Sequence, residues 1–266
     1  MDLELEGKVA IITGGNRGIG RATALELARE GADVALVARS KALTEDVAGE
    51  IARETGRRVI AALADTGDDA AVKSMVADVV ARLGRVDILV NAAAEPSGQR
   101  EVPKPTNTPR EMLDEHINIK VMGYLRTARE VAPYMARQKF GRIINVSGLG
   151  ARRTGNTVGS IRNVAVVALS KNLADELSSS GINVTTVHPG MTRTEKVDEM
   201  IKQRAAAEGV SFSEIEKRMA SDVLIGRLPT AKELAQVIVF LASPKSITIN
   251  GEVIVAGGGD KKVIFY

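Results

Sequence analysis

The segment ITGGNRGIGRATALELA, residues Ile12 to Ala28, decides the fold. It begins as the end of a short apolar run, Lys8 to Thr13, and continues into a stretch with helical spacing of apolar residues. Gly14, Gly18 and Gly20 lie in the turn between the two. Glycines let the backbone approach a pyrophosphate, and the first turn of a helix offers free N–H groups at the positive end of its dipole. A glycine turn between a strand and a helix therefore predicts a dinucleotide site.

Outward from this segment, short β-branched runs alternate with longer amphipathic stretches. The predicted strands are Lys8–Thr13, Asp33–Ala38, Arg58–Ala64, Val86–Asn91, Gly141–Ser147, Ile182–His188 and Glu252–Ala256. The predicted helices are Ile19–Glu30, Leu43–Thr55, Asp69–Leu83, Pro109–Lys139, Val158–Ser180 and Ala231–Leu241. Several strands are apolar on both faces, as in sheets that helices cover on both sides. The alternation predicts an α/β fold with a doubly wound parallel sheet.

No linker or internal repeat divides the chain, so residues 1–266 are predicted to form a single domain. The polar stretch Thr192–Asp222 has helical spacing but interrupts the alternation of strands and helices. We expect this stretch to form a substrate flap, or a small helical insertion, over a cleft.

The composition argues against several classes of protein. Cysteine is absent and His116 and His188 are the only imidazoles, so disulfides are excluded and no metal site is expected. The basic residues are scattered and aromatic residues make up only 3% of the chain, so no nucleic-acid surface is expected. No apolar run reaches membrane-spanning length and the N-terminus is acidic. These features predict a soluble, cytoplasmic protein that acts on a small molecule and has no membrane partner.

The end of the second predicted strand bears on which dinucleotide is bound. An acidic residue there would hydrogen-bond a free ribose 2′-hydroxyl, but the sequence has Arg39, Ser40 and Lys41, and Arg17 lies in the glycine turn. Cations suit a 2′-phosphate, which favours NADP(H) over NAD(H). The alternative is that Arg39 and Lys41 are solvated cations at the start of a helix.

Further motifs follow in order along the chain. TGGNRGIG at 13–20, Asp65 in LADTGD, Asn91 in ILVNAAA, VHPGMTRT at 187–194 and INGEVIVAGGG at 249–259 resemble motifs of the short-chain dehydrogenase/reductase family. The resemblance extends from about Leu5 to Gly259. It implies one Rossmann-type domain with a seven-stranded parallel sheet, assembled as a homotetramer or homodimer. It also implies hydride transfer between a nicotinamide and a substrate carbon.

The resemblance and the turn chemistry together give a set of expected cofactor contacts. They lie in the glycine turn, beside the ends of the strands and on one later helix. The set comprises Thr13, Gly14, Asn16, Arg17, Gly18, Ile19, Gly20, Arg39, Ser40, Asp65, Thr66, Asn91, Ala92, Ala93, Asn163, Pro189, Gly190, Thr192 and Thr194.

The chain departs from the family at the positions of its Asn, Ser, Tyr and Lys catalysts. Aligned through GRIINVSGLG and SKNLADEL, these four positions fall on Lys120, Gly148, Gly159 and Asn163. In the family, Ser and Tyr bind the carbonyl oxygen, Tyr exchanges the proton, and Lys lowers the Tyr pKa and holds the ribose. The resemblance is therefore to an atypical member that lacks all four.

Neighbouring residues restore this set only in part. Asn118 and Ser147 lie within two residues of the Asn and Ser positions, so a shift of register would bring them back. The tyrosines of the chain are Tyr124, Tyr134 and Tyr266, and none lies close enough to residue 159 for such a shift. The Tyr–Lys pair is absent in either register.

Three interpretations of the function remain. In the first, hydride passes from NADPH to an activated C=C of an enone or enoyl thioester, and the catalytic candidates Lys120, Ser147 and Asn163 hold the developing oxyanion. In the second, the protein is a carbonyl reductase in which the substrate assists the proton transfer, and the space left by Gly148 and Gly159 admits a large substrate such as a polycyclic phenolic ketone. In the third, the protein is a catalytically inactive NADP(H)-binding sensor or scaffold.

Other polar residues close to these positions are weaker candidates. Ser160, Arg152 and Arg153 are possible further donors, although exposed loop positions explain the two arginines more simply. His188 precedes Pro189 at the end of a strand, and His116 opens a helix, so packing or solvation explains both histidines. A proton role for Glu95 has no better support.

Overall fold

Seven parallel strands form one sheet in the order β3-β2-β1-β4-β5-β6-β7. The structure is a computed structural model that describes residues 1–94, 102–261 and 264. The strands are β1 (Val9–Thr13), β2 (Asp33–Ala38), β3 (Val59–Leu63), β4 (Ile88–Asn91), β5 (Gly141–Val146), β6 (Ile182–Pro189) and β7 (Val253–Ala256). This sheet confirms the predicted α/β fold.

Helices cover both faces of the sheet. They are α1 (Gly18–Arg29), α2 (Lys41–Thr55), α3 (Asp69–Leu83), α4 (Arg110–His116), α5 (Gly123–Gln138), α6 (Thr157–Leu177), α7 (Glu195–Glu208), α8 (Phe212–Met219) and α9 (Ala231–Ala242). Within the described ranges, no helix is both long and apolar enough to cross a membrane.

The alternating sides of the strands divide the core into two layers. Ile12 of β1 packs in a cluster with α1, α2 and α9, whereas Ile11 packs in a second cluster with α3, α5 and α6. Both isoleucines have no exposed surface. Because successive side chains point to opposite faces, a strand covered on both sides must be apolar along its length. This requirement explains the uninterrupted apolar run of β1.

A cleft opens where the order of the strands reverses. Strand β1 pairs with β2 on one side and with β4 on the other, and Thr13 lies opposite Asn91 in the register. Helix α1, which follows β1, packs on one face of the sheet, and α5, which follows β4, packs on the other. Ligands of such sheets bind outside the carboxyl ends of the strands at this point.

The predicted helix Pro109–Lys139 contains a feature that its apolar spacing does not reveal. Between α4 and α5, the residues Ile117–Met122 form a π-helical turn. Such wide turns are rare and occur frequently at functional sites. This one carries Lys120.

The polar stretch Thr192–Asp222 forms α7 and α8, in agreement with its helical spacing. The two helices share a small core in which Ile201 and Ile215 have no exposed surface. The side chains of Thr194 and Ser211 cap their N-termini. The stretch is therefore an ordered helical segment inserted between β6 and α9.

Candidate active site

The glycine turn between β1 and α1 has no room for a side chain at Gly14 or Gly20. A Cβ on Gly20 would lie 2.2 Å from the carbonyl oxygen of Gly14, and one on Gly14 would lie 3.1 Å from the backbone of Ala93. Gly14 also has a φ of 68°, in the left-handed region that favours glycine. The turn therefore packs backbone against backbone with the loop that follows β4.

The first turn of α1 presents N–H groups that lack a side-chain cap. Its N-cap residue, Arg17, is extended and makes no capping hydrogen bond, and the first turn contains no acidic residue. The N–H of Gly18 donates instead to a carboxylate oxygen of Glu195, on α7, at 3.2 Å. This helix end thus binds an anionic group, and a pyrophosphate requires the same ability to bind an anion. The turn fits the phosphates of a dinucleotide.

The loop after β4 is held by buried side chains. The hydroxyl oxygen of Thr13 accepts hydrogen bonds from the N–H groups of Ala92 and Ala93, both at 3.1 Å. Asn91 is fully buried, and its amide donates to Oδ1 of Asn145 at 2.9 Å and accepts from Thr127 at 2.8 Å. Because the amide of Asn91 is engaged in the sheet and α5, this residue contributes to the cofactor edge by fixing the loop that follows it.

Two other expected cofactor residues lie against the glycine turn. The amide of Asn16 donates to the hydroxyl of Thr44 at 3.1 Å, which ties the turn to α2. The methyl group of Thr194 lies 3.4 Å from the position that a Cβ on Gly18 would take. Residues far apart in the sequence are thus brought to the same edge of the sheet.

The remaining expected contacts border this edge. Arg17, Arg39 and Ser40 are exposed, and Asp65 is exposed and accepts a hydrogen bond from the N–H of Gly67 at 2.8 Å. Other members of the set open α1 or follow the strands, and these are Ile19, Thr66, Pro189, Gly190 and Thr192.

Lys120, Ser147 and Asn163 meet beyond the carboxyl end of β5. Lys120 is 4% exposed, and its Nζ donates to the carbonyl oxygen of Ser147 at 2.8 Å and to Oδ1 of Asn163 at 2.9 Å. An ammonium has three donors, whereas a neutral amine has two donors and a lone pair. One position on Nζ therefore remains for a further partner in either state. Ser147 and Asn163 thus both bind the buried amine nitrogen of Lys120, which brings the three catalytic candidates together.

The loop that follows β5 is fixed to two neighbouring elements. The hydroxyl of Ser147 donates to the backbone carbonyl of Asn163, on α6, at 2.9 Å. The N–H of Gly148 donates to Nδ1 of His188, on β6, at 3.3 Å. Because Nδ1 accepts, the neutral ring carries its proton on Nε2. The hydroxyl proton of Ser147 is therefore engaged in a hydrogen bond within the protein, and His188 positions the loop.

Burial changes the acid–base properties of this cluster. Desolvation lowers the pKa of Lys120 well below its usual value, and the positive charge of Arg162 lowers it further. Desolvation, aided by the charges of Arg152 and Lys120, lowers the pKa of His188 to about 4. Burial raises the pKa of Tyr124, whose hydroxyl donates to a backbone carbonyl of β5 at 2.9 Å. Lys120 is therefore the basic group of this cluster whose pKa burial lowers from its usual alkaline value.

Two asparagine amides lie close to Gly148, Gly150 and Gly159. Asn156 caps α6 by accepting from the N–H of Gly159 at 2.8 Å, and a Cβ on Gly159 would lie 2.9 Å from Cγ of Asn156. A Cβ on Gly148 or Gly150 would lie 3.1 Å or 3.0 Å from Nδ2 of Asn163. The space beside each of these glycines is therefore already filled by a side-chain amide.

Asn118 and His116 are used elsewhere. Oδ1 of Asn118 accepts from Arg126 at 2.9 Å, and its Nδ2 donates to the carbonyl oxygen of Gly67 at 3.4 Å. These bonds anchor the loop after β3. Nδ1 of His116 lies 2.6 Å from Nη1 of Arg162, which links α4 to α6.

The weaker candidates have structural partners or lie outside the described residues. The hydroxyl of Ser160 donates to the carbonyl oxygen of Arg153 at 2.8 Å, and the Arg153 guanidinium pairs with Asp260. Glu95 and Tyr266 lie outside the described residues.

Asn156 and Arg162 were not expected from the sequence. An Asn just before a helical stretch is a common N-cap, and this was the available signal for Asn156. Arg162 is 3% exposed. The sequence offers no signal for it, because its burial depends on how α4 and α6 pack together.

Known proteins resemble this chain over nearly its whole length. The family model described as Enoyl-(Acyl carrier protein) reductase matches residues 14–260. The chain is 34% identical over 259 residues to the short-chain reductase protein NovJ of Streptomyces niveus, covering 94% of this chain and 93% of NovJ. It is 33% identical over 262 residues to the 3-oxoacyl-[acyl-carrier-protein] reductase FabG of Thermotoga maritima, covering 97% and 99% of the two chains.

Solved structures extend the similarity to the fold. The crystal structure of L-sorbose reductase from Gluconobacter frateurii, complexed with NADPH and L-sorbose, matches with a TM-score of 0.93. Its sequence identity to this chain is 29%, with 99% of this chain and 100% of that chain covered. The chain belongs to the short-chain dehydrogenase/reductase family of nicotinamide-dependent oxidoreductases.

Proposed function

We propose that the protein is an NADP(H)-dependent reductase that works without the family's usual Asn, Ser, Tyr and Lys. Its substrate is a small or polycyclic molecule with an activated C=C, as in an enone or enoyl group, or with a C=O. The observation that carries the proposal is the buried Lys120, held between Ser147 and Asn163 beside a dinucleotide edge.

The preference for NADP(H) is supported by charge at the cofactor edge. Arg17 and Arg39 are exposed where an adenosine ribose would lie in this fold, and no acidic residue ends β2. A guanidinium suits a 2′-phosphate. The similar L-sorbose reductase was crystallised with NADPH.

The chemistry divides between the cofactor and the side chains. NADPH, when bound, supplies a hydride to the β-carbon of an activated C=C or to the carbon of a C=O. Negative charge then develops on the substrate oxygen, and Lys120 and Asn163 stabilise that charge in a site with little water. In C=O reduction, Lys120 gives its proton to this oxygen. In C=C reduction, the enolate is held until a water proton reaches the α-carbon, so one hydride and one proton are added in each case.

Other parts of the proposal rest on position in the fold. The segment Thr192–Asp222 would act as the substrate flap, since Glu195 at its start contacts the glycine turn. Asn163 would also bind the nicotinamide ribose from the position of the family's Lys. The protein would act in the cytoplasm as a homotetramer or homodimer, as is common in the family.

The proposal is tested with purified protein, NADPH and a panel of enones, enoyl thioesters, quinones and polycyclic phenolic ketones. We expect NADPH oxidation with at least one class, and slower oxidation of NADH. Tight NADPH binding without consumption on any substrate would contradict the proposal and support an NADP(H)-binding sensor or scaffold.

A further inference from the structure

The side-chain amide of Asn163 has a defined orientation. Lys120 donates to its oxygen at 2.9 Å, so the oxygen faces the amine and the nitrogen faces the opposite way. The backbone carbonyl of Asn163 is also engaged, since it accepts from the hydroxyl of Ser147. The residue is 5% exposed and held at two points, so its amide is preorganised.

The nitrogen of this amide points away from Lys120. Among the described residues, none accepts a hydrogen bond from Nδ2 of Asn163, and this nitrogen is not one of the fully enclosed polar atoms that lack a bond. An amide nitrogen carries two donors, and burying them without an acceptor is costly. An oriented donor that still reaches the surface is suited to an incoming oxygen.

Two glycines make room for this nitrogen. A Cβ on Gly148 or Gly150 would lie 3.1 Å or 3.0 Å from Nδ2, whereas real Cβ contacts are rarely so close. Neither glycine has a φ in the left-handed region, so backbone conformation does not explain its identity. Their lack of side chains is therefore explained by the amide that faces them.

We infer that Nδ2 of Asn163 donates a hydrogen bond to the substrate oxygen, and that glycine at 148 and 150 is required for this. The inference rests on the proposed reductase function and names the group that holds the oxygen. The ligand it selects is an oxygen that carries or gains negative charge, as in an enolate or phenolate. Lys120 orients the amide and withdraws electron density through Oδ1, which makes the N–H groups better donors.

A consequence is that restoring the family's serine should damage the site. A serine at 148 would place its Cβ 3.1 Å from the amide nitrogen, so the amide of Asn163 would have to shift by a few tenths of an ångström against its hydrogen bond with Lys120. Removal of one oxyanion donor costs roughly 10²- to 10³-fold in kcat in enzymes where it has been measured. If a substrate is found, Gly148→Ser and Asn163→Asp should each lower kcat by about that factor.

The test does not depend on turnover. The NADP⁺-loaded protein is titrated with 4-nitrophenol, whose phenolate absorbs visible light, so ionisation of the bound probe is read directly. We expect the wild-type protein to bind the phenolate and increase the ionised fraction. Asn163→Asp removes the donor, and Gly148→Ser displaces it, so both variants should lose this effect.

Controls separate this effect from folding and from the reductase proposal. All variants should unfold thermally with a single transition like the wild type and should be saturated with NADP⁺ before the titration, and Gly49→Ala, whose Cβ would meet nothing within 4 Å, should keep the phenolate effect. No ionisation by the wild type, or full ionisation by Asn163→Asp, would overturn the inference. Retention of the effect in Gly148→Ser would overturn the role of the glycine. If no substrate of the reductase panel is reduced, the phenolate titration still tests the inference, because it does not require turnover.

Discussion

The two halves of the cleft use different parts of the chain. At the expected cofactor edge, at β1 and β4, the geometry depends on the backbone, as in the N–H groups that open α1 and the close approach of Gly20 to Gly14. On the catalytic side, at β5 and α6, the site depends on side chains such as Lys120 and Asn163. The first half carries the glycine turn and Asn91, which resemble motifs of the family, and the second carries Lys120, Ser147 and Asn163, on which the proposed reduction depends.

The difference indicates which kind of site can change. A backbone site needs small residues where atoms nearly touch, so even one methyl group on Gly20 would lie 2.2 Å from a carbonyl oxygen. A side-chain site can be replaced if the new groups satisfy one another. Here Lys120, Ser147 and Asn163 are joined to one another by hydrogen bonds, and His188 holds the adjoining loop.

Lys120→Met should have the largest effect, a loss of turnover without a change in NADPH binding. Loss of the buried amine removes charge stabilisation, so kcat should fall by roughly 10²-fold or more on any substrate identified. The Kd of NADPH, measured by fluorescence titration, should stay within the error of the wild type. Lys171→Met, on the exposed side of α6, is the matched control. Unchanged turnover in Lys120→Met would remove this residue from the mechanism.

The pH dependence of stability tests whether His188 is held neutral. Its pKa is lowered from an ordinary 6.5 to about 4 in the folded protein, so between these values the unfolded chain binds more protons. The free energy of unfolding should therefore fall as the pH drops from 6.5 towards 4, by about 2–3 kcal/mol from this group.

Guanidinium unfolding at several pH values measures this change. Other groups also titrate in the range, so the relevant quantity is the difference between the wild type and His188→Gln. That difference should be constant above pH 7 and should shrink or reverse in acid. A constant difference throughout would contradict the assignment of a neutral, buried His188.

Arg39→Asp should alter the cofactor half without touching the catalytic half. A carboxylate at the end of β2 repels a 2′-phosphate and accepts from a 2′-hydroxyl. The ratio of NADH to NADPH affinity should rise by roughly tenfold or more, or about 1.4 kcal/mol. Arg53→Asp makes the same charge change farther along α2 and should leave the ratio unchanged. An unaltered ratio in Arg39→Asp would place the 2′-phosphate elsewhere.

Glu195→Gln should have the smallest effect, at the boundary of the cofactor half with α7. The carboxylate of Glu195 occupies the N–H of Gly18 and would compete with a pyrophosphate for it. Removing its charge should tighten NADPH binding by roughly two- to fivefold at low salt, and less at high salt. Glu199→Gln, an exposed carboxylate on the same helix, should have no effect. Weaker binding in Glu195→Gln would mean that the carboxylate assists the cofactor.

Much of the fold could be predicted from the sequence because its pattern is local. A strand buried on both faces must be apolar throughout, and helices between such strands keep their own spacing, so all seven strands were placed within about two residues. The π-helical turn at Ile117–Met122 could not be predicted, because a change from i+4 to i+5 bonding confined to six residues is too short for the apolar spacing to reveal.

The site was predictable only in part. The aligned motifs predict Lys120, Ser147 and Asn163 as catalytic candidates, and the structure shows hydrogen bonds from Lys120 to the other two. Their roles depend on orientation, which no motif encodes. That Ser147 gives its proton to α6, and that Asn156 fills the space beside Gly159, follows from packing between segments far apart in the chain.

The π-helical turn has a geometric consequence for the wall of the cleft. An α-helix advances about 100° per residue, so a residue gained or lost changes the angular phase of everything before it. Deleting one residue within Ile117–Met122 would keep α5 on the sheet and rotate α4 by about that angle. His116 would then move away from Arg162, and α4 and α6, which lie on either side of Lys120, would lose this contact.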